Sequence, residues 1–574
     1  MQDEWRVRPN LTLTLGIRYE YSSPKLDTAG RSFSIIPGDQ STRFPNAPLG
    51  LVFPGDPGAP RGVNFPDKDN FAPRVGFAWS PGSGAHTSVR GGFGIFYDVL
   101  KGEDNLQFNG APPFYSEPFV AYPCLQPSPT ATTNCRPGTP VQPAATTAGF
   151  PFYSQPWATS TTPIVPNPFP SQPPNPATAF STTTGDFLPF GAGSIFFVEP
   201  HLHTPYDYQY NLSVQQQLAK ATIFELNYVG SSSKGLTSLE DVNPFDLNTV
   251  TGPNANPTRI LNENQSAALA AFCLANDGGS AICPLSSAPA FANVSFASFN
   301  SMEASLTKQN GDNRILGNTY FTLAYTYGHS IDNASGFRNR DSQVPYYNIG
   351  QFRASSDFDV TNRITFSGGW DLPLARTWAS GPSWFVNKVL KGWSLYPIFS
   401  WRTGFPLSIN SQLPLDPGIP GPSGAGDAFL ANADFAPGVN RITLLNPRRS
   451  GSCNNPNTGL VDAGNLYFDC SAFTALADVP NFSDPYGDTP RDFFRGPGRT
   501  NLDLALAKNT AFSERVSLEL RLEAFNVFNH TQFANPDTNL LSATFGQISS
   551  TTLGTGVTAL QTQRIVQIAA RLTF

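Results

Sequence analysis

Segments in which apolar and polar residues strictly alternate are the feature that most limits what this chain can fold into. The clearest is residues 11–21, LTLTLGIRYEY, with Leu, Ile and Tyr at the odd positions and Thr, Gly, Arg and Glu at the even ones. A period of two is the pattern of a β-strand with one apolar face. A tilted strand of about ten such residues is long enough to cross an outer membrane.

The C-terminal segment, residues 564–574, RIVQIAARLTF, has the same pattern and ends on an aromatic residue. One face of this predicted strand carries Val566, Ile568, Ala570, Leu572 and Phe574. We expect these five to face lipid and to act as a membrane-insertion signal, with Phe574 in the aromatic girdle at the interface. For this strand alone, the last strand of a soluble β-sandwich is the alternative.

The alternating segments come in pairs, and short connections inside a pair alternate with long loops between pairs. They are residues 11–21, 71–79, 87–97, 208–218, 222–229, 298–308, 319–328, 362–372, 393–403, 500–508, 516–525 and 564–574. Membrane barrels have short periplasmic turns and long external loops. The sequence therefore predicts an all-β fold, a transmembrane antiparallel β-barrel with about twelve strands here and long extracellular loops.

Two further expectations concern the ladder of this predicted sheet. Pro397 lies inside a strand and cannot donate a backbone hydrogen bond, which predicts a β-bulge there. We also expect an open or imperfectly closed sheet, with the strand at residues 11–21, preceded by a stub containing Trp5, at one edge and the C-terminal strand at the other.

The composition excludes some classes of protein. The net charge of -6, with 13% aromatic and 14% charged residues, argues against nucleic acid as a partner. The sequence contains no run of about 18 apolar residues, so no transmembrane helix is predicted. The N-terminus, MQDEWRVRPN, lacks the basic and apolar segments of a signal peptide, so either the chain is not exported or Met1 is not the natural start.

Charged residues fall on the polar parity of the predicted strands, where they would line a lumen. They are Arg18, Arg74, Arg90, Arg363, Asp503, Glu519, Arg521, Glu523 and Arg571, joined by Glu20 and Glu225. Arg or Lys facing lipid at mid-bilayer costs about 2 to 4 kcal/mol, and Asp or Glu costs less. The functional interpretation is a substrate path, and the alternative is a solvated lining with cross-strand ion pairs.

The six cysteines sort into three pairs, each inside one long loop. Cys124 with Cys135, Cys273 with Cys283, and Cys453 with Cys470 predict three loop-closing disulfides in an oxidising compartment. A zinc site is the competing interpretation, but CxxC spacing is missing and histidine is scarce. We predict no metal and no cofactor. Because nucleotide-binding and hydrolase motifs are also missing, we expect no enzymatic activity.

Several sequence motifs, in their order, resemble those of the Oar-like TonB-dependent receptors. They are QDEWRVRPNLTLTLGIRYEY, NFAPRVGFAWSP, TSVRGGFGIFYD, YNLSVQQQL, FELNYVGSSSKGL, YTYGHSIDN, GWSLYPIFSWRTGFPLSI, RLEAFNVFNHTQFANP and FGQI. The resemblance implies a 22-stranded outer-membrane barrel with an N-terminal plug, which takes up a large nutrient using energy delivered through TonB. A signal peptide, a carboxypeptidase-regulatory-like domain, a TonB box, a plug and the first strands are missing from this sequence. We therefore expect residues 1–574 to be the C-terminal portion of such a barrel.

The implied partners are outer-membrane lipid, the barrel assembly machinery, an unknown large nutrient and, through the missing N-terminal part, the TonB system. Siderophore, glycan and peptide remain open as ligands. Two other functions also remain open, namely a cell-surface binding or adhesion protein that uses its loops, and a self-contained porin-like barrel of about twelve strands or a barrel enzyme.

Overall fold

The computed structural model of the chain describes residues 2–47, 49–82, 86–98, 114, 124–125, 141–142, 175–177, 179–180, 197–241, 245–246, 258–259, 289–313, 317–336, 349–377, 384–414, 430–446, 451–454, 461–474, 487–540, 542–551 and 563–574. Most of these residues are in strands. The helical pieces among them are short, and none is long and apolar enough to cross a membrane.

One antiparallel sheet dominates the fold, and each of its main strands pairs with the next one along the chain. The strands are β1 (Gln2–Arg8), β2 (Leu11–Tyr19), β3 (Phe71–Trp79), β4 (Thr87–Tyr97), β5 (Tyr206–Ala219), β6 (Thr222–Asp241), β7 (Pro289–Asn313), β8 (Gly317–Asp332), β9 (Asn362–Asp371), β10 (Trp393–Arg402), β11 (Arg499–Ala511), β12 (Ser517–Phe525) and β13 (Ile565–Thr573). Two short strands, Phe197–Val198 and Ala354–Ser355, attach to β7 and β8.

All twelve predicted strands are present, and β1 is added before them as the strand that contains Trp5. The largest differences from the expected strand ends are in two strands, since β6 extends to Asp241 and β7 begins at Pro289. These extensions pair with each other through Ser238 and Ala292. The two strands continue beyond the segments whose residues alternate, because their backbone groups still find partners in each other.

Pro397 does not produce the expected bulge. It lies opposite Leu504 in the β10–β11 ladder, and the β9–β10 register is the same before and after it. The β9–β10 pairing has a gap at Gly368 and Gly369, between Ser367 opposite Ile398 and Trp370 opposite Leu395. The missing proline N–H therefore leaves a local gap in the ladder without inserting an extra residue.

The sheet does not close among the described residues. Gln2–Arg8 pairs with β2 and Ile565–Thr573 pairs with β12, and these two outer strands do not pair with each other. The connections alternate as the sequence predicted. The turns β1–β2, β3–β4, β5–β6, β7–β8 and β11–β12 are short, that between β9 and β10 is intermediate, and all the other connections are longer.

The long connections carry hydrophobic clusters of their own. One cluster joins the β2–β3 and β4–β5 connections, where Phe44, Phe53 and Phe180 pack with ring centroids 4.6 to 6.2 Å apart. In another, Phe468 and Phe473 pack at 5.8 Å inside a larger group. Fully buried aromatic rings show that these parts of the loops fold as packed bodies at the rim of the sheet.

Candidate transport path and membrane-facing surface

The ladder registers join polar residues of eleven strands into one continuous row. Residues that lie directly opposite each other share a face of the sheet. From β1 to β11 the row contains Arg6, Thr12, Ala78, Arg90, Ser213, Asn227, Glu303, Thr326, Arg363, Arg402 and Arg499. We call it the polar row. Ten of its eleven members can hydrogen-bond through their side chains.

The residues next to the polar row on each strand form a second aligned row, and most of them are apolar. From β2 to β11 this second row contains Leu11, Trp79, Val89, Val214, Leu226, Ala304, Tyr325, Ile364, Trp401 and Thr500. We call it the apolar row. Because successive side chains of a strand point to opposite faces, the two rows define a polar face and an apolar face of the same sheet.

All nine residues predicted to line a lumen lie on the polar face. Arg90 and Arg363 belong to the polar row itself. Arg18, Arg74 and Asp503 lie an even number of residues from its members on the same strands. Glu519, Arg521 and Glu523 lie opposite polar-face residues of β11, and Arg571 lies opposite Glu519.

The ion pairs on the polar face run along the strands. Arg18 Nε lies 2.9 Å from Glu20 Oε1, and Arg521 Nε lies 2.7 Å from Glu523 Oε1. Each pair joins residues two apart on one chain segment. The Arg74 guanidinium instead stacks on the Phe96 ring, 4.3 Å from its centroid. A merely solvated lining is expected to have ion pairs between neighbouring strands. Among the described residues, the charged side chains named here form no such cross-strand pairs.

Three arginines meet at the end of the polar row. Arg363 lies opposite Arg402, and Arg402 lies opposite Arg499. Arg402 stacks on Phe405 at 4.3 Å, and no salt bridge joins any of the three to a carboxylate within the described part of the chain. Like charges directly opposite each other destabilise a sheet. The row therefore concentrates positive charge on the polar face near the long-loop rim.

The apolar face carries large exposed apolar side chains on several strands, among them Leu15, Trp79 and Tyr228. The five residues of the predicted insertion signal lie on it, since Val566, Ile568, Ala570 and Leu572 are opposite Ala524, Leu522, Leu520 and Leu518 and Phe574 follows in the same parity. Ile568 is 79% exposed and Phe574 is 92% exposed. An exposed apolar surface of this extent requires a non-aqueous partner.

A single buried guanidinium joins three acidic residues at the long-loop rim. Arg491 contacts Asp332 at 2.6 Å, Asp357 at 2.8 Å and Asp492 at 3.3 Å. Asp332 ends β8 and Asp357 precedes β9, so the guanidinium ties the β10–β11 connection to the β8–β9 connection. A few residues on, Arg495 makes a hydrogen-bonded ion pair with Asp359, which also lies 3.1 Å from His329 Nδ1.

The carboxyl groups of this cluster have different proton affinities. Burial raises the pKa of Asp492 to about 7, helped by the neighbouring Asp357, although Arg491 and Ser408 act in the other direction. For Asp357, burial alone would raise the pKa, but hydrogen bonds from Asp492 and Arg491 hold it below its ordinary value. The proton that the pair shares below neutral pH is therefore held mainly by Asp492.

Cys470 is the predicted disulfide residue whose side chain the structure describes. It is disulfide-bonded and fully buried beside Phe468 and Phe473. Cys453 lies in the short strand Gly451–Asn454, and Cys124 lies in Cys124–Leu125. The side chains of those two, and Cys135, Cys273 and Cys283 altogether, lie outside the described residues. The three predicted pairings remain predictions.

Sequence reasoning missed Arg402, Arg499 and Arg491. Arg402 lies inside the predicted strand 393–403 on its polar parity, so its face could be predicted. Its position beside Arg363 and Arg499 depends on register between strands far apart in sequence. Arg491 lies in a long loop without a local pattern, and no sequence signal marks it. In the described ranges, no group of three or more metal-ligating side chains is present.

Comparison with known proteins gives one family match. A family model described as an outer membrane beta barrel domain matches residues 1–567. A search of curated proteins finds no match.

Similar solved structures include the outer membrane transporter YddB from Escherichia coli, at 9% identity and a TM-score of 0.38, covering 100% of this chain and 53% of that one. The siderophore receptor PirA from Acinetobacter baumannii matches at 9% identity and a TM-score of 0.36, covering 100% and 44%. The ferripyoverdine receptor of the outer membrane of Pseudomonas aeruginosa matches at 9% and 0.35, covering 100% and 38%. The chain thus spans about half or less of the length of these structures.

Proposed function

The chain belongs to the outer membrane beta barrel domain family, and from this premise we propose that it forms part of the wall of a TonB-dependent receptor that takes up a large nutrient. Membership of the family locates the chain in the outer membrane, and the family is defined by a membrane barrel and not by a catalytic domain. The order of the Oar-like motifs along the sequence supports the more specific uptake function.

The observation that carries the proposal is the pairing of the polar row with the apolar row. Neighbouring residues such as Arg363 and Ile364, or Arg90 and Val89, repeat the contrast on one strand after another. Outer-membrane barrels have an apolar outer band and a polar interior. On this basis the apolar face meets lipid, and the nine charged residues of the polar face line the path of the nutrient.

The proposal includes the rest of the receptor. Residues 1–574 form the C-terminal portion of a longer barrel, and the plug and the TonB box belong to the preceding part of the protein. In support, an unpaired sheet edge is not tolerated in lipid, and the described ladder leaves β1 and β13 with one neighbour each. Upstream genomic sequence that encodes a plug in frame is expected, and a stop codon close to Met1 would contradict this part.

We also propose the barrel assembly machinery as a partner of this chain. The barrel assembly machinery recognises β13 through Val566, Ile568, Ala570, Leu572 and Phe574, which present an apolar edge ending in an aromatic residue.

The function is tested by expressing the full-length gene in a host that lacks its own receptor, with and without TonB. Accumulation is measured for a panel of radiolabelled ferric siderophores, oligosaccharides and peptides. We expect at least one compound to accumulate only when TonB is present, and Arg402→Glu to reduce that accumulation, whereas Tyr325→Phe on the apolar face leaves it unchanged. Accumulation that is independent of TonB would refute the proposal.

A further inference from the structure

A short helical segment lies at the rim of the sheet that carries the short turns. It comprises residues 384–390 in the β9–β10 connection, and we call it the lip segment. Its last turn is the π-helical Val386–Leu390, which is closed by the Lys391 N–H donating to the Val386 carbonyl at 3.0 Å. The sequence pattern indicates only a connection of intermediate length at this place.

The lip segment is fastened to the apolar face of the sheet. The Trp393 Nε1–H donates to the Val389 carbonyl at 2.7 Å, and Trp393 lies on the apolar parity of β10. Lys508, directly opposite Trp393 on β11, donates to the Lys391 carbonyl. Both anchors lie on the side of the sheet that also carries Leu395 and Leu506, so the segment folds outward over that side.

A glycine makes this outward turn possible. Gly392 has φ 87°, in the left-handed region, and a Cβ atom there would lie 2.2 Å from the Asn509 carbonyl oxygen. The Asn509 N–H donates to the Gly392 carbonyl at 2.8 Å. A side chain at this position would separate the strands and the segment with them.

The outer surface of the lip segment is apolar and exposed. Trp384 is 73% exposed and Phe385 is 54% exposed, and Val389 adds to the same surface. Phe512, in the β11–β12 turn, is 58% exposed beside them. Lys388 connects the two elements, because it donates to the Ala511 carbonyl and lies 5.6 Å from the Phe512 ring centroid.

Cationic residues lie close in sequence to these exposed apolar residues. Lys388, Lys391 and Arg515 lie on the lip segment, at its end and in the β11–β12 turn, and Glu514 is the acidic residue of that turn. Tryptophan and phenylalanine with neighbouring lysine and arginine are typical of segments in the plane of a membrane interface. Lysine and arginine there place their charge at lipid phosphates while their stems stay apolar.

We propose that the lip segment binds anionic phospholipid of the periplasmic leaflet. Short turns lie on the periplasmic side of membrane barrels, and the surface continues the apolar face of β10 and β11. Trp384, Phe385 and Phe512 enter the boundary between headgroups and acyl chains, and Lys391 and Arg515 contact the lipid phosphates. The proposal goes beyond uptake, because it holds whichever nutrient the receptor admits.

The test measures the depth and the lipid preference of Trp384 in the full-length protein reconstituted in vesicles. The chain has 8 Trp, so the Trp384 emission is obtained as the difference between the native protein and Trp384→Phe. Vesicles contain phosphatidylglycerol or phosphatidylcholine brominated at shallow acyl positions. We expect clear quenching of the difference emission, with a preference for phosphatidylglycerol on the order of fivefold for a cation near the headgroups.

A double change, Lys391→Gln with Arg515→Gln, separates the effect of the charges on lipid preference from the effect of the apolar contact on quenching. It should abolish the phosphatidylglycerol preference and leave the quenching by brominated phosphatidylcholine intact. Arg8→Gln with Lys220→Gln, at other short turns, is the matched control that also removes two positive charges, and it should keep the preference. A difference emission that is not quenched by either lipid, or a preference that survives the Lys391 and Arg515 changes, would overturn the proposal.

Discussion

Arg363 and Arg402 lie directly opposite each other on neighbouring strands, and no carboxylate pairs with either within the described residues. Adjacent like charges cost stability, so this arrangement is not explained by the needs of the fold. It fits a lining on which a passing ligand or counter-ion supplies the negative charge.

The first prediction concerns the stability of this row. Arg363→Gln removes one of two opposed guanidinium groups and should raise the free energy of unfolding by about 0.2 to 1 kcal/mol, measured by urea unfolding in lipid vesicles. Arg90→Gln is the matched control, because Arg90 lies opposite the uncharged Ala78 and Ser213. Equal effects of the two changes would contradict a like-charge cost at Arg363.

The second prediction concerns pH and the Arg491 cluster. Asp492 has a folded-state pKa of about 7 against an ordinary 3.8, so the folded state binds the proton more tightly than the unfolded state does. The stabilisation is therefore complete below about pH 4 and is lost as the pH rises to 7. Asp357, whose pKa is lowered, loses its stabilisation only as the pH falls below about 4.

We expect hydrogen-exchange protection of the Asp492 amide, which donates to Ser408 Oγ at 2.9 Å, to fall between pH 5 and about 7 after correction for intrinsic exchange. Asp492→Asn should flatten this dependence. Asparagine tolerates the positive φ of 51° at this position, so the change tests the proton without altering the backbone. A slope that persists in the variant would assign the effect to another group.

The third prediction uses neighbouring residues on opposite faces of β13. Ile568→Arg places charge on the apolar face near the middle of the strand and should cost about 2 to 4 kcal/mol in lipid. Gln567→Arg places the same charge on the polar face opposite Glu523, where the cost should be close to zero. Unfolding free energies of the two variants in the same vesicles give the comparison, and similar costs would mean that β13 does not separate lipid from water.

The fourth prediction concerns the loop disulfides. Peptide mapping without reduction should find Cys124 with Cys135, Cys273 with Cys283, and Cys453 with Cys470. Replacing Cys453 by Ser should destabilise the loop body around Phe468 and Phe473 by about 3 kcal/mol. The reason is that the predicted disulfide closes the loop from Cys453 to Cys470, and closing a loop of about 15 residues contributes about this much. Limited proteolysis of that loop measures the loss, and bridges between different loops would show the pairing to be wrong.

The fifth prediction concerns the C-terminal aromatic residue. Phe574→Glu in the full-length protein should reduce assembly in the outer membrane, measured as the folded fraction on unheated gels. Charge near the interface costs only about 0 to 1 kcal/mol, so a large loss of folded protein means that the residue is recognised during insertion. Thr573→Glu, on the polar face, is the control and should assemble normally.

The sequence by itself determined the class of fold, the approximate positions of twelve strands and the faces of the residues in their alternating segments. This was possible because alternation is local, and a strand such as Leu11–Tyr19 carries its own period of two. The same locality explains why the faces of Arg363 and Asp503 could be predicted without knowledge of their neighbours.

Only the tertiary structure decided which residues meet across strands and loops. The opposition of Arg402 to Arg363 and Arg499 depends on the registers of three strands, which are separated by one connection of intermediate length and one long loop. The contacts of Arg491 with Asp332 and Asp357 join residues more than a hundred positions apart. Such contacts are set by the packing of the whole sheet and its loops, and the pattern of a single segment holds no information about them.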